Sequence, residues 1–481
     1  MYRASVETMA STCGAVILAG DPSRQVSGFV VDSRLVTPGS VFVCFLGETQ
    51  DGNDYALPAM DSGAACVVMT REPSEAERAK AAEKDCCLIR AANDDAGAFL
   101  LDLAEHYRLQ QDWAVLGVTG SVGKTTTKDL LAQALATTYR VHKNVGNFNS
   151  VIGVPLTILS APDDTQVFVC EMGMNHPGEI DAIARCARPQ MACITNIGTS
   201  HIGILGSREN IALAKSEVIP WLAADASLPC CVDLEPVLAL ASGDDFTCSI
   251  GEAAKGAGVL VDRVGFHPDD RICASQVSLS PEGCPAFDVT FCGDRVHQEL
   301  KLTGRQCVID DLLALDLAQR AGLTLTQAAS GLDSLEPQAM RAHIIRAARG
   351  FRVIDDTYNA SPSSLAVAAD LLCELPCEGR RIAVIGEVGE LGDEAPRLHG
   401  FMGAYLAAKP IDMLVLVGDK DADAMAEAAS TMGFSEDKLV RVPTAAAAAS
   451  IVGPVLEAGD LVLAKGSRFV GLDAFVEEVR S

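Results

Sequence analysis

Between residues 118 and 126 the chain reads Val118-Thr119-Gly120-Ser121-Val122-Gly123-Lys124-Thr125-Thr126. An apolar run at residues 113–118 precedes it and a helix-compatible stretch at 124–138 follows, so the glycines fall where a buried strand turns into a helix. Glycine lets successive backbone N–H groups curl around phosphate oxygens, and the helix N-terminus adds positive potential there. Lys124 supplies a point charge and Thr125 a hydroxyl suited to Mg²⁺. Val118 stands where the strict G-x-x-x-x-G-K-[ST] pattern has its first glycine. Nucleotide phosphate is the expected ligand of Thr119, Gly120, Ser121, Val122, Gly123, Lys124, Thr125 and Thr126; a structural glycine turn is the alternative.

Downstream, Glu171 ends a candidate strand at 167–170, where ligands sit in open α/β sheets, and it is placed to hold Mg²⁺ between nucleotide phosphates. Glu179 follows Pro177-Gly178 at a helix start, where an acidic residue more often complements the helix dipole. His201 closes the segment Thr195-Asn196-Ile197-Gly198-Thr199-Ser200-His201, and Lys215 follows on an expected amphipathic helix at 208–222. By themselves these two would be a structural histidine and a solvated lysine. Asn147 and Asn149 lie in a polar loop ahead of Pro155.

The T-G-x-x-G-K-T-T form resembles the loop of the Mur ligase family, a variant shared with folylpolyglutamate synthases. Asn147-Phe148-Asn149-Ser150 resembles the family's substrate-facing segment. His201 matches a second-metal ligand and Lys215 the lysine that the family carbamoylates. A neutral amine that adds CO₂ becomes an oxygen donor fit for Mg²⁺. Arg341 matches the arginine of a P-x-R segment, and with Asp356 it would close over the nucleotide. Asp355-Asp356-Thr357-Tyr358-Asn359-Ala360-Ser361-Pro362 resembles the signature of the D-alanyl-D-alanine-adding branch, with Ser361 in place of an asparagine. The stretch from Gly386 to Gly392 with His399 resembles another family segment, and Lys465-Gly466-Ser467-Arg468 a terminal K-G-S-R. Asp32-Ser33-Arg34, Pro38-Gly39, Gly47 and Asp51-Gly52 resemble a uridine-nucleotide domain. One stretch departs from the family: Gln306, Cys307 and Asp310 stand where asparagines help to seat adenosine, so Asp310 would meet the nucleotide differently.

The resemblance implies an ATP-dependent amide-bond-forming ligase that uses ATP, Mg²⁺ and a carbamoylated Lys215. Its implied substrates are UDP-N-acetylmuramoyl-tripeptide and D-alanyl-D-alanine, activated through an acyl phosphate. Ser33, Arg34, Asn147, Asn149, Tyr358, Asn359, Lys465, Ser467 and Arg468 are the implied substrate contacts. Thr125, Glu171, His201 and Lys215 are the implied metal ligands, with Lys124, Lys215, His201 and Glu171 catalytic. Rival readings are a ligase of the same family that adds a single amino acid and a non-catalytic nucleotide-binding scaffold.

Positioning these residues takes more than one core. With 481 residues the expectation is α/β architecture in three domains. A small N-terminal α/β domain is expected at 1–111, a central P-loop-type parallel-sheet domain at 112–335 and a doubly wound Rossmann-like domain at 336–481. Strands are expected at 28–31, 40–45, 65–69, 167–170, 191–195, 351–354, 381–385, 413–417 and 461–464, with a helix at 94–107. The functional residues divide between the second and third blocks, so the site is complete only when these meet, with a hinge at 335–341. The net charge of −26 argues against nucleic acid and anionic membranes as partners. No stretch of about 20 apolar residues occurs, so a cytoplasmic monomer without membrane insertion is expected. The 17 cysteines form no C-x-x-C pair and read as core residues.

Overall fold

Short β-branched runs alternate with helices to build three main sheets, beside a two-stranded ribbon of Arg3–Ser5 with Gln25–Ser27, in a computed structural model that describes residues 1–47, 50–223, 231–232, 234–332 and 335–480. The first sheet runs Val16–Ala19, Cys87–Arg90, Cys66–Met69, Val41–Val43, Phe29–Val30; only the first pairing is antiparallel. Strands expected at 28–31, 40–45 and 65–69 are present in shortened form. The helix expected at 94–107 is Ala96–Arg108, with the Asp95 carboxylate accepting from the Ala98 amide as its cap.

Nine strands form the central sheet, in the order Asp294–Glu299, Pro285–Phe291, Ile272–Leu279, Leu260–Gly265, Val237–Ala241, Met191–Ile194, Ala114–Thr119, Val167–Glu171, Val141–Lys143. The expected all-parallel sheet is corrected here: the last-formed three strands make an antiparallel meander. Residues 280–284 and 292–293 are too few for the dozen or more that a parallel crossover needs. Cys292 and Gly293 both have positive φ, +48° and +92°, the two-residue hairpin geometry that matches strand twist. The single helix expected at 208–222 is instead two, Arg208–Ser216 and Ile219–Ala223. Pro220 lacks an N–H and its ring would clash with the carbonyl of Ser216, so one helix cannot run through.

The third sheet runs His343–Arg346, Arg352–Asp356, Leu461–Lys465, Arg381–Gly386, Met413–Val417, Leu439–Val442, parallel except for the first pairing. Helices Pro362–Glu374, Ala395–Ala407, Lys420–Thr431, Ala445–Val452 and Leu472–Arg480 accompany these strands, as a doubly wound domain requires. One apolar cluster runs from Val6 and Phe99 through Phe168 to Leu365 and Leu463, so all three units contribute to it. Cysteines among the described residues are free thiols, nine of them buried, which fits their reading as small core side chains. Among the described residues no helix is long and apolar enough to cross a membrane.

Candidate active site

The turn between the buried strand Ala114–Thr119 and the helix Lys124–Leu135 needs its glycines for two separate reasons. Gly120 has φ +143° and a methyl there would lie 1.9 Å from Thr195 Oγ1. Gly123 has φ +89° and a methyl there would lie 2.3 Å from Asp310 Oδ1. The segment after Met191–Ile194 braces the turn. Asn196 Oδ1 accepts from the Val122 amide at 3.1 Å, Asn196 Nδ2 donates to the Val122 carbonyl at 2.9 Å, and Ser121 Oγ accepts from the Gly198 amide at 2.9 Å. The loop is thereby held open in shape by side chains rather than by its own hydrogen bonds.

Two lysines converge on one carbonyl of this loop. Lys124 Nζ and Lys215 Nζ each donate to Gly120 O at 2.8 Å. Burial pushes both amines below the ordinary lysine value, Lys215 well below it, where the Lys124 charge adds to the effect. Lys215 is therefore buried as a group that favours its neutral form, contrary to the solvated lysine its sequence context alone would give. Glu171 is 1% exposed. Its Oε1 accepts from Thr125 Oγ1 at 3.2 Å and from Asn149 Nδ2 at 2.7 Å, and its Oε2 has no hydrogen-bond partner. A buried carboxylate oxygen without a hydrogen bond, beside a threonine hydroxyl, is a donor pair that suits a hard cation.

Lys128 is a residue sequence reasoning missed. It is buried, with Nζ 3.5 Å from Glu171 Oε2 and 3.2 Å from Asn144 O. The available signal was helical spacing: Lys128 lies four residues after Lys124, on the same face of one helix. Asn144 was missed too; its Oδ1 accepts from the Glu171 amide at 2.7 Å. Of the two asparagines expected to face substrate, Asn149 donates to Glu171 Oε1 at 2.7 Å and Asn147 is exposed. Glu179, in the first turn of its helix, accepts from the Asn175 amide at 2.7 Å and so ties down the loop ahead of it.

The C-terminal unit reaches this cluster directly. Arg341 Nη2 donates to Thr125 Oγ1 at 3.2 Å, and its guanidinium lies 4.2 Å from the centroid of the Tyr358 ring. Met340 and Ala342, on either side, have φ of +62° and +49°, which fixes the turn that aims Arg341. Asp356 Oδ2 pairs with Lys465 Nζ at 2.5 Å and its Oδ1 accepts from the Ala342 amide at 3.2 Å; Lys465 also donates to Asn359 O at 3.1 Å. Ser467 Oγ accepts from the Gly389 amide at 2.9 Å. Arg468 Nη1 meets Met340 Sδ at 3.4 Å and Asp473 at 3.2 Å. His399 is fully buried, with Nε2 accepting from the Val388 amide at 3.0 Å, so it supports the 386–392 loop. His201, at φ +62°, has Nδ1 2.6 Å from Glu390 Oε2, at an angle outside hydrogen-bond geometry.

Comparison with known proteins fits all three units. Residues 25–108 match the Mur ligase family catalytic domain, 118–318 the Mur ligase middle domain and 340–468 the Mur ligase glutamate ligase domain. UDP-N-acetylmuramoyl-tripeptide–D-alanyl-D-alanine ligase of Bacillus subtilis is 35% identical over 94% of this chain and 93% of its own. The chain belongs to the Mur ligase family. As such it is an ATP-dependent ligase of the acid–amino acid class. Among solved structures, MurF from Acinetobacter baumannii is 28% identical with a TM-score of 0.87, covering 100% of this chain and 99% of that one. MurF ligase from Thermotoga maritima in complex with ADP, 24% identical, shares the fold with a TM-score of 0.77 over 95% of this chain and 97% of that one.

Against the Mur ligase pattern, the departing stretch lies behind the loop. Asp310 is 5% exposed on the helix Gln306–Arg320, accepts from Thr127 Oγ1 at 3.2 Å and backs onto Gly123. Burial pushes its carboxyl up to about 8. Gln306 Nε2 donates to Thr303 O at 3.0 Å. At the N-terminal unit, Asp32 grips Arg34 through Nε at 2.9 Å and Nη2 at 2.6 Å, forming a tight exposed turn with Ser33. Among the described residues no group of three or more His, Cys, Asp and Glu side chains is placed to hold a metal. A metal here would need the Thr125 hydroxyl and a modified Lys215 in addition to Glu171 and His201.

Proposed function

We propose that this chain joins D-alanyl-D-alanine to the terminal carboxylate of UDP-N-acetylmuramoyl-tripeptide in peptidoglycan precursor synthesis, as a cytoplasmic monomer. The near-full-length similarity to ligases of that name carries the reading. In this reading residues 1–111 hold the uridine nucleotide through Ser33 and Arg34. Residues 112–335 hold ATP and residues 336–481 complete the site.

The γ-phosphoryl group of ATP passes to the tripeptide carboxylate, giving an acyl phosphate and ADP. The amine of D-alanyl-D-alanine then attacks the acyl carbon, an amide bond forms, and phosphate leaves while the amine loses its proton. Lys124 and the loop amides orient the phosphates, and Arg341 adds charge to the same place from the other domain. Thr125 and Glu171 would hold Mg²⁺, which would neutralise charge on the transferring group; the Glu171 oxygen left without a hydrogen bond supports this assignment. Lys128, 3.5 Å from that oxygen, helps to orient the Glu171 carboxylate without hydrogen-bonding to it. The depressed basicity of Lys215 favours the free amine, the form that adds CO₂, and a carbamate there together with His201 would complete a second cation's ligand set. Tyr358, Asn359, Lys465, Ser467 and Arg468 form the wall that faces the acceptor.

Acceptor-dependent ADP release tests the proposal. D-alanyl-D-alanine with the UDP-linked tripeptide should give stoichiometric ADP and a pentapeptide product, and single amino acids or folate with glutamate should give neither. Equal turnover with a single amino acid would sink the assignment to the dipeptide-adding branch.

A further inference from the structure

The loop at residues 386–392 leaves the C-terminal sheet and reaches the helix Ile202–Leu205 of the central domain. There two backbones meet with no side chain between them. The Gly203 amide donates to Glu390 O at 2.9 Å. A methyl on Gly203 would lie 2.3 Å from the Gly392 nitrogen and 2.4 Å from the Leu391 carbonyl carbon, and one on Gly392 would lie 2.9 Å from Gly203 Cα. Backbone atoms cannot swing aside as a side-chain end can, so the separation of the two domains at this point is fixed within tenths of an ångström.

Both sides of the contact are conformationally costly. His201 and Glu390 each have φ +62°, and Gly392 has φ +54°. A non-glycine residue in this region is strained and persists only where its surroundings over-determine it. Nearby contacts between the same domains depend on the same spacing: Arg341 to Thr125 at 3.2 Å, and Gly198, where a methyl would lie 2.8 Å from Ser363 Oγ.

We propose that the Gly203–Gly392 backbone contact, with Glu390 against His201 across it, is the latch that sets the working position of the C-terminal domain over the phosphate loop. The inference rests on the ligase reading for its effect on turnover, and on the geometry alone for its effect on structure. Gly203 is a positioning residue that carries no chemistry. Its own φ lies outside the left-handed region and it sits in a helix, so alanine suits its local backbone better than glycine does. Any harm from Gly203→Ala must therefore come through the other domain.

The test compares Gly203→Ala, Gly392→Ala, the double variant and Gly256→Ala, the last being a helix-end glycine with open space around an added methyl. Hydrogen exchange at residues 202–205 and 389–393 is followed with a non-hydrolysable ATP analogue and UDP-N-acetylmuramoyl-tripeptide bound, alongside thermal unfolding and steady-state kinetics. A shift near 1 Å at a catalytic group can cost about a hundredfold. The expected result for Gly203→Ala is an unfolding temperature no lower than wild type, loss of protection in both segments, kcat lower by about tenfold or more, and KM for ATP within about twofold. Gly256→Ala should match wild type throughout. The double variant should be no worse than the poorer single one, because one open latch cannot be opened twice. Wild-type protection in Gly203→Ala, or additive losses in the double variant, would overturn the latch. If the wild-type protein fails to ligate D-alanyl-D-alanine, the functional reading falls and the exchange data still decide the latch.

Discussion

The central and C-terminal domains touch at two ends of one interface, and the two ends are built from different physics. At the site end the contacts are short and closely fitted: Gly203 on Gly392 backbone to backbone, a hydrogen bond from Arg341 to the buried Thr125, and His201 beside Glu390. At the other end the turn between strands Ile272–Leu279 and Pro285–Phe291 reaches across with exposed charges. Arg346 pairs with Glu282 at 2.9 Å, Arg305 with Glu374 at 3.1 Å, and Arg352 donates to Pro281 O at 3.1 Å. Long charged side chains can follow a rotating partner and keep their contacts; two apposed backbones cannot. The hairpin end tolerates motion and the site end dictates where motion stops.

The largest effects should come from the two lysines at the site end. Lys124→Ala should leave the fold intact and lower ligation by roughly 10²–10³-fold or more, the scale of removing one preorganised charge-stabilising donor. Lys215→Ala should lose as much, but with partial recovery when a short carboxylate is supplied, since that restores the oxygen donor the carbamate would provide. Circular dichroism and ADP release with and without acetate separate the two. Near-wild-type turnover in folded Lys124→Ala would detach the loop from catalysis. Loss in Lys215→Ala without rescue, and no added mass on wild-type Lys215 at saturating bicarbonate, would leave Lys215 a purely structural amine.

A smaller, pH-dependent effect is expected just behind the loop. Asp310 is pushed up to about 8 by burial, against about 4 in an unfolded chain. Between those values the folded state keeps a proton that the unfolded state has lost. The stability this contributes is full below about pH 4 and disappears as pH rises through about 8. Asp310→Asn keeps the shape, can still accept from Thr127 and does not titrate. Its unfolding temperature should therefore gain on wild type from pH 5 to pH 8, on the order of a few degrees. Differences that stay constant across that range would show that Asp310 is not held as the neutral acid.

How much of this was legible in the sequence follows from what each feature depends on. The phosphate loop was readable because glycines, lysine and threonine must be contiguous for backbone amides to wrap an anion. Glu171 was readable because it ends a strand. The α/β alternation in three units was readable from short apolar runs spaced by helices. The antiparallel meander at 272–299 was not, because its strands alternate exposed polar residues, and Pro281, Gly283 and Gly293 mark turns without recording which strand the chain returns to. Lys128 and Asn144 acquire a role only through packing around Glu171, which no local pattern records. Gly203 and Gly392 are still less visible: each is an ordinary glycine until the fold sets one against the other, 189 positions apart in the chain.

The smallest effects should come from the hairpin end. Arg346 and Glu282 keep 69% and 53% of their side-chain surface exposed, so water and salt screen the pair, and holding two long side chains in one geometry offsets much of the attraction. Arg346→Ala and Glu282→Ala should each change kcat and KM by less than about twofold, and the double variant should show little coupling beyond the sum. Raising ionic strength to about 0.5 M shortens the screening length to a few ångströms. That should erase what remains of the pair while leaving exchange protection at residues 202–205 unchanged, because a steric contact has no charge to screen. If Arg346→Ala instead cost turnover as much as Gly203→Ala, the hairpin would have to transmit force rather than merely follow it. The contrast between a compliant end and a fixed end would then give way to an interface that moves as one rigid plate.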